Sequence, residues 1–157
     1  MSAEARLVEL GIVLPEAPPA QGLYAAVVRA GPLLFVSGQL PLVNGMLARR
    51  GRCGADVSLE EGAALARTCA LNALAHIRAD LGSLDRVTRI VRVGGFVAAA
   101  PFFIEIPAVI NGASQLLIDI FGDAGRSART SVGVAELPLG APVEVEMVVE
   151  SRGPNAG

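Results

Sequence analysis

The sequence is poor in charge. Asp, Glu, Lys and Arg make up 18% of the 157 residues, while 52% are hydrophobic; soluble domains average about 25% charged residues. A chain of this length suits one domain with its own core, here residues 1–157. So few charges cannot cover the surface of a monomer, and we predict that part of the apolar excess is buried against other copies of the chain.

Long apolar runs and basic runs are also missing. No stretch reaches the about 18 uncharged apolar residues that a spanning helix needs. The N-terminus carries Glu4 and Glu9 and does not resemble a secretory signal. The net charge is −2, without a dense run of basic residues. We therefore expect neither a membrane nor nucleic acid as a partner.

Cysteine and histidine are scarce. Cys53 and Cys69 are too few for a disulfide framework, which favours a reduced, cytoplasmic compartment. With one histidine, His76, they cannot assemble a zinc site, so no metal is expected. We assign His76 a structural or surface role, because no Ser or Cys nucleophile has a sequence context that implicates it.

Two helices stand out from the apolar pattern. Ser58 followed by Glu61 is a capping box, apolar residues then recur at steps of three and four, and Gly82 ends the helix. The second helix begins at Pro107, a preferred first-turn residue. It contains Gly112, which costs about 1 kcal/mol relative to alanine and which close packing would explain.

Alternating and β-branched segments predict the strands. "LYAAVVRAGPLLFVSGQLP" is typical of a strand, a turn and a strand, and "DRVTRIVRVGGFVA" of one strand whose double glycine indicates a bulge or a close backbone approach. Residues 127–150 predict two strands joined as a hairpin by the turn "LPLGAP". Residues 1–22 are expected to wrap the surface as an extension, and residues 44–57 to form a loop or a ragged strand.

The element order β-β-(β)-α-β-α-β-β favours an α+β fold. Because βαβ units are too few for a doubly wound sheet, we predict a mixed, mostly antiparallel sheet with both helices on one face. The other face would then meet neighbouring subunits.

One arginine and a row of carboxylates lie along the predicted hairpin. Its register would place Arg129 opposite Glu150 and about 20 Å from Glu144. The two could therefore share a pocket only across a subunit interface. Arg129 would bind a carboxylate through two parallel hydrogen bonds, and Glu144 would orient or deprotonate a water. A surface ion pair worth about 0–1 kcal/mol is the open alternative.

Three stretches carry a resemblance to a known family. "GLYAAVVRAGPLLFVSGQLP", "VINGASQLLIDIFG" and "ARTSVGVAELPLGAPVEVEMVVE" resemble the first hairpin, the second helix and the diagnostic ending of the YjgF/RidA family. These proteins are the reactive-intermediate (enamine/imine) deaminases, called L-PSP endoribonucleases in older usage. The resemblance covers residues 23–150. Residues 44–57 and "GGFVAAAPFFIEIP" are longer or differently composed than in the compact archetype and indicate a longer bacterial subgroup.

The resemblance implies a chorismate-mutase-like fold and a homotrimer with a central β-barrel and active sites between subunits. It implies hydrolysis of 2-aminoacrylate or 2-iminobutyrate to a 2-keto acid and ammonia, with no metal or organic cofactor. Arg129 would hold the substrate carboxylate and Glu144 would position the water. Tyr24, Ser37, Gly38 and Asn111 would line the cleft, together with Ser131 where many members have cysteine. A non-catalytic binder of small carboxylates, or a ribonuclease or translation inhibitor, is the alternative.

Overall fold

A computed structural model describes residues 1–152, so the last five residues of the predicted domain lie outside it. Ten helices and strands organise these residues. They are α1 (Ala3–Glu9), β1 (Val27–Ala30), β2 (Leu33–Gln39), β3 (Leu42–Val43), β4 (Met46–Leu47), α2 (Leu59–Leu81), β5 (Val87–Ala98), α3 (Ile106–Phe121), β6 (Ala128–Val134) and β7 (Val143–Ser151).

Five of the strands form one twisted layer in the order β1-β2-β7-β5-β6. The pairs β1–β2, β2–β7 and β5–β7 are antiparallel, and β5–β6 is parallel. On β7, Val143, Val145, Met147 and Val149 are fully buried or nearly so and alternate with more exposed residues, because successive side chains point to opposite faces. The buried set packs in one core cluster with residues of α2 and α3. The predicted α+β fold, with a mixed, mostly antiparallel sheet and two main helices on one face, is confirmed.

The two main helices begin and end where local signals place them. The Ser58 hydroxyl accepts a hydrogen bond from the Glu61 backbone N–H at 3.1 Å, and Gly82 ends α2 in the left-handed conformation. α3 starts one residue before Pro107. A Cβ at Gly112 would overlap the carbonyl oxygen of Ala63 on α2. Close helix packing therefore requires this glycine, as predicted.

The predicted hairpin of residues 127–150 is wrong. β6 pairs with β5 in parallel, Arg129 beside Val93, while β7 lies between β2 and β5. The connection contains a 3₁₀ turn over Pro138–Gly140 and carries the chain past β5. Turn residues such as those of "LPLGAP" reverse the chain locally, but they do not decide which strands pair.

Three smaller segments agree with expectation in part. The N-terminal extension contains α1, whose N-cap is Ser2 and which buries Ala3 and Leu7. Residues 44–57 contribute β4, which pairs with β3, and a bridge from Cys53 to Ala99. The register shifts of β5 lie at residues 87–89 and 90–92 rather than at the double glycine. The alternative expectation, a close approach, holds there, because a Cβ at Gly95 would overlap the side chain of Ile110.

The sheet face that α2 and α3 leave uncovered, here called the open face, carries apolar and charged side chains together. Val28 and Phe35 are 54% and 46% exposed, and they lie beside Val148, Arg92 and Glu146 around a shallow depression. No helix within residues 1–152 is both long enough and apolar enough to cross a membrane.

Candidate functional site

A cavity of about 180 Å³ opens at the edge of β2 beyond the start of β1. Its walls come from residues 18–26, the end of β2, the second half of α2 and the start of β7. The polar and aromatic residues of the lining are Gln21, Tyr24, Gln39, His76 and Glu144, among prolines and leucines. This enclosure is called the Glu144 cavity below.

Among the described residues, Glu144 is the one charged residue in this lining. A Cβ at Gly38 would overlap the Glu144 carboxylate, so the glycine makes room for it. Burial, and then the nearby charge of Glu146, raise the pKa of Glu144 above its usual value. Within residues 1–152 the carboxylate has no hydrogen-bond or ion-pair partner. The Glu144 carboxylate thus binds a proton more tightly than usual, and it is accessible to a molecule in the cavity.

Arg129 lies on β6 against the first half of α3. One guanidinium nitrogen, Nη1, donates to Asn111 Oδ1 at 2.7 Å and to Ser114 Oγ at 3.1 Å, and Nη2 donates to the carbonyl of Pro107 at 3.4 Å. In the described part of the chain no carboxylate pairs with it. α3 therefore holds the Arg129 guanidinium in a fixed orientation but does not neutralise its positive charge. A group that binds an anion requires both.

Two predicted cleft residues have other surroundings. Ser37 donates through its hydroxyl to the carbonyl of Ala25 at 2.7 Å and borders the depression on the open face, not the Glu144 cavity. Ser131 pairs with Gly95 on β5, and its hydroxyl oxygen is buried without a hydrogen-bond partner. Since Ser131 is two residues after Arg129, the two side chains share one face of the sheet.

The structure divides the predicted site residues into separate groups. Tyr24, Gly38 and Glu144 meet in the Glu144 cavity, whereas Asn111 and Arg129 border a second, shallow pocket on the α3 side. Arg129 is beside Val93, whose side chain is under the helices, and Glu144 is beside Phe96 on the other face. Arg129 and Glu144 are offset by three residues along the strand direction and by two spacings between neighbouring strands, so their Cα atoms are about 14 Å apart. The predicted 20 Å, taken from the hairpin register, is therefore wrong, although one chain still cannot bring the two groups together.

Sequence reasoning missed two side chains. Ser114 helps to hold Arg129, and His76 lines the Glu144 cavity. Spacing could have found both. Asn111 and Ser114 are three residues apart on α3, and the buried Asn72 and His76 are four apart in an otherwise apolar stretch of α2, so each pair shares a helix face.

The described residues offer neither a cluster of metal ligands nor an accessible thiol. Among residues 1–152 no group of three or more His, Cys, Asp or Glu residues could hold a metal ion. Both cysteines are buried free thiols. Burial, with a smaller effect of Glu61, raises the pKa of Cys53 to about 11, and burial raises that of Cys69 well above its usual value. Thiols protonated at neutral pH are weak nucleophiles.

Comparisons with known proteins agree with this architecture. The sequence profile of a family described as "YjgF/chorismate_mutase-like, putative endoribonuclease" matches residues 4–150. Protein TCP17 of Trypanosoma cruzi is 46% identical over 147 residues, which are 93% of this chain and 92% of that protein. The subgroup therefore extends beyond bacteria.

Two solved structures show how the chain relates to different parts of the family. Atu1372 of Agrobacterium tumefaciens, a protein of unknown function, is 43% identical with a TM-score of 0.89, covering 96% of this chain and 92% of that one. RidA of an Antarctic Psychrobacter is 26% identical with a TM-score of 0.62, covering 86% of this chain and 94% of that one. The chain is a member of the YjgF/RidA family with the chorismate-mutase-like fold, in a divergent subgroup that includes Atu1372 and TCP17.

Proposed function

We propose that the protein hydrolyses small 2-imino and enamine acids, such as 2-aminoacrylate and 2-iminobutyrate, to 2-keto acids and ammonia. The observation that carries the proposal is a divided site. An oriented arginine lies on one side of the sheet, a half-buried carboxylate lies in a cavity reached from the other, and neither has an oppositely charged partner within residues 1–152. Among the described residues, the pocket at Arg129 has no carboxylate that could activate water, and the Glu144 cavity has no cation that could bind a substrate carboxylate.

A second copy of the chain would complete the site. Val28 and Phe35 on the open face are the kind of exposed apolar surface that oligomers cover, and the low charge content points the same way. We propose a homotrimer whose sheets line a central barrel. Arg129 and Asn111 of one subunit would then face Tyr24, Gly38 and Glu144 of the next.

The residues would divide the chemistry between them. Arg129 binds the substrate carboxylate, and with it Asn111 fixes the orientation of the imine carbon. Glu144 accepts a proton from water, whose oxygen forms a bond to that carbon. The C=N π electrons move to nitrogen, which takes up that proton, and the hydroxyl proton of the resulting carbinolamine then also passes to nitrogen. The C–N bond breaks, and ammonia leaves as the carbonyl forms. An enamine such as 2-aminoacrylate first becomes the imine by moving a proton from its nitrogen to its terminal carbon. The imine carbon is already electrophilic, so positioning of the two reactants supplies most of the acceleration. Neither a metal nor an organic cofactor takes part.

A coupled assay tests the activity. A dehydratase generates 2-aminoacrylate, and the release of keto acid is compared with and without this protein. The native protein is expected to accelerate release, Arg129→Ala to abolish the acceleration, and Glu144→Gln to slow turnover while keto-acid binding is retained. No acceleration, with a keto acid still raising the melting temperature, would favour the carboxylate binder. RNA cleavage that disappears in Arg129→Ala would favour the ribonuclease.

Mixing the inactive Arg129→Ala variant with the slow Glu144→Gln variant tests the shared site, after the residual activity of Glu144→Gln alone is subtracted. After subunit exchange, a site with an intact Arg129 from one copy and an intact Glu144 from the next forms at random. A cyclic oligomer mixed one to one should then regain about a quarter of native activity. A site contained within one chain would regain none.

A further inference from the structure

The imidazole ring of His76 makes no hydrogen bond to the described part of the protein. It is 9% exposed and lines the Glu144 cavity, yet within residues 1–152 it has no hydrogen-bond or ion-pair partner. Its ring nitrogens are not among the fully enclosed, unpaired polar atoms of residues 1–152, so they are accessible from the cavity and to a molecule that fills it. A histidine with a purely structural role would be expected to bond to the protein, as its neighbour Asn72 does.

Asn72 shows the contrast one helical turn earlier. Its side-chain nitrogen donates to the carbonyls of Leu40 and Leu42 at 3.0 Å each, which holds this wall of the cavity in place. Gln39 likewise donates to the carbonyl of Ser37 at 3.1 Å. These two amides make bonds to the protein within the wall, whereas His76 faces the space that the wall encloses.

The Glu144 cavity is lined by a carboxylate, that of Glu144, and by a wall of apolar residues that also contains His76. Glu144 reaches it across Gly38, and His76 reaches it from α2, with Leu40, Leu42, Pro18 and Pro19 also in the lining. A molecule whose reacting carbon is at Glu144 would direct its side chain toward the apolar wall and His76. Residues 1–152 contribute no cation to the lining, and the one charge they contribute is negative. An anionic side chain is therefore repelled, and any charged side chain loses hydration on entering.

We propose that His76 determines substrate specificity by hydrogen-bonding the side chain of the substrate, and that the preferred 2-imino acids carry a short, uncharged side chain ending in an amide or hydroxyl group. This inference rests on the proposed function, since it takes Glu144 as the reacting end of the cavity. Burial lowers the pKa of His76 below its usual 6.5. The neutral ring offers one donor and one acceptor at pH 7, which matches an amide.

The test uses imines of equal size. Amino-acid oxidases convert leucine, asparagine and aspartate to 2-imino acids whose side chains are nearly isosteric, and semicarbazide traps whatever imine the protein leaves. We expect the native protein to prefer the asparagine imine. His76→Phe, which keeps the ring volume, should lower kcat/KM for that imine about tenfold, as one lost hydrogen bond implies, and spare the leucine imine. His76→Gln should retain most of the preference.

Two outcomes would overturn the inference while the proposed hydrolysis stands. One is a native preference for the leucine imine, and the other is an equal effect of His76→Phe on all three. If no imine is hydrolysed, NMR can still test whether His76 contacts a bound ligand. His76 is the single histidine, so untagged protein gives one set of imidazole signals. A larger shift with 2-oxosuccinamate than with 4-methyl-2-oxopentanoate supports the binding role, and equal or absent shifts refute it.

Discussion

Glu144 is half-buried, and no group in the described part of the chain compensates its charge. Its pKa is raised because water is partly removed from the carboxylate and because Glu146 follows on the same face. Charging it therefore costs folding free energy. Gly38 is part of the same arrangement, because any larger residue would displace the carboxylate. Such a cost is typical of residues retained for reactivity, since a neutral residue would be more stable at the same position.

The stability cost at Glu144 gives a pH-dependent prediction. Between its usual value near 4.5 and its raised pKa in the native state, the folded protein binds more protons than the unfolded chain, so stability falls as pH rises through this window. Glu144→Gln removes that penalty. We expect the variant to melt at a higher temperature than the native protein at pH 8 and at the same temperature at pH 4, measured at a protein concentration low enough to keep both as single chains, because the proposed oligomer would bring Arg129 of the next subunit to Glu144. Glu16→Gln, at an exposed position, should change neither value. Lower stability of Glu144→Gln at pH 8 would contradict the electrostatic account.

At the scale of elements, contact between α2 and α3 builds the platform for Arg129. Gly112 allows α3 to approach the backbone of α2 at Ala63. The same helix presents Asn111 and Ser114, on either side of Gly112, to the guanidinium. Close packing and the orientation of the arginine therefore depend on one short segment.

Two glycine substitutions on the facing helices separate backbone crowding from side-chain crowding. Gly112→Ala places a methyl group against the carbonyl of Ala63, whereas Gly62→Ala meets the Cys53 sulfur at 3.0 Å and Val109 at 3.3 Å. We expect Gly112→Ala to lose about 2 kcal/mol, despite the propensity gain of about 1 kcal/mol.

Gly62→Ala should remain within about 1 kcal/mol of native, because side-chain neighbours can move further than backbone. Denaturant unfolding measures both variants. Equal losses would show that helix separation is not what Gly112 controls.

At the scale of the whole molecule, the divided site ties the proposed activity to assembly. Within one chain Arg129 and Glu144 project from opposite faces of the sheet, and no side-chain rotation can bring them together. Val28 on the open face is exposed without contributing to either half. It therefore offers a way to disturb assembly without touching the proposed chemistry.

Val28→Glu should give single chains in sedimentation velocity, because a buried, unpaired carboxylate in each interface is costly. The far-UV circular dichroism of the variant should be unchanged and its imine hydrolysis lost. Val8→Glu is the matched control, since Val8 is 82% exposed on α1 and the same substitution there should leave mass and turnover as in the native protein. A single-chain Val28→Glu protein with full activity would refute the shared site.

The features of this protein with local causes follow from its sequence alone. Caps and apolar periodicity set α2 and α3, because helix hydrogen bonds join residues four apart. The alternation along β7 set which of its side chains are buried, and the motif around Arg129 identified the family. Strand pairing joins distant segments, so only the tertiary structure placed β7 between β2 and β5 and made β6 parallel to β5. The same packing decided that His76 lies in a cavity with Glu144, because α2 and the start of β7 meet there only after the sheet has formed.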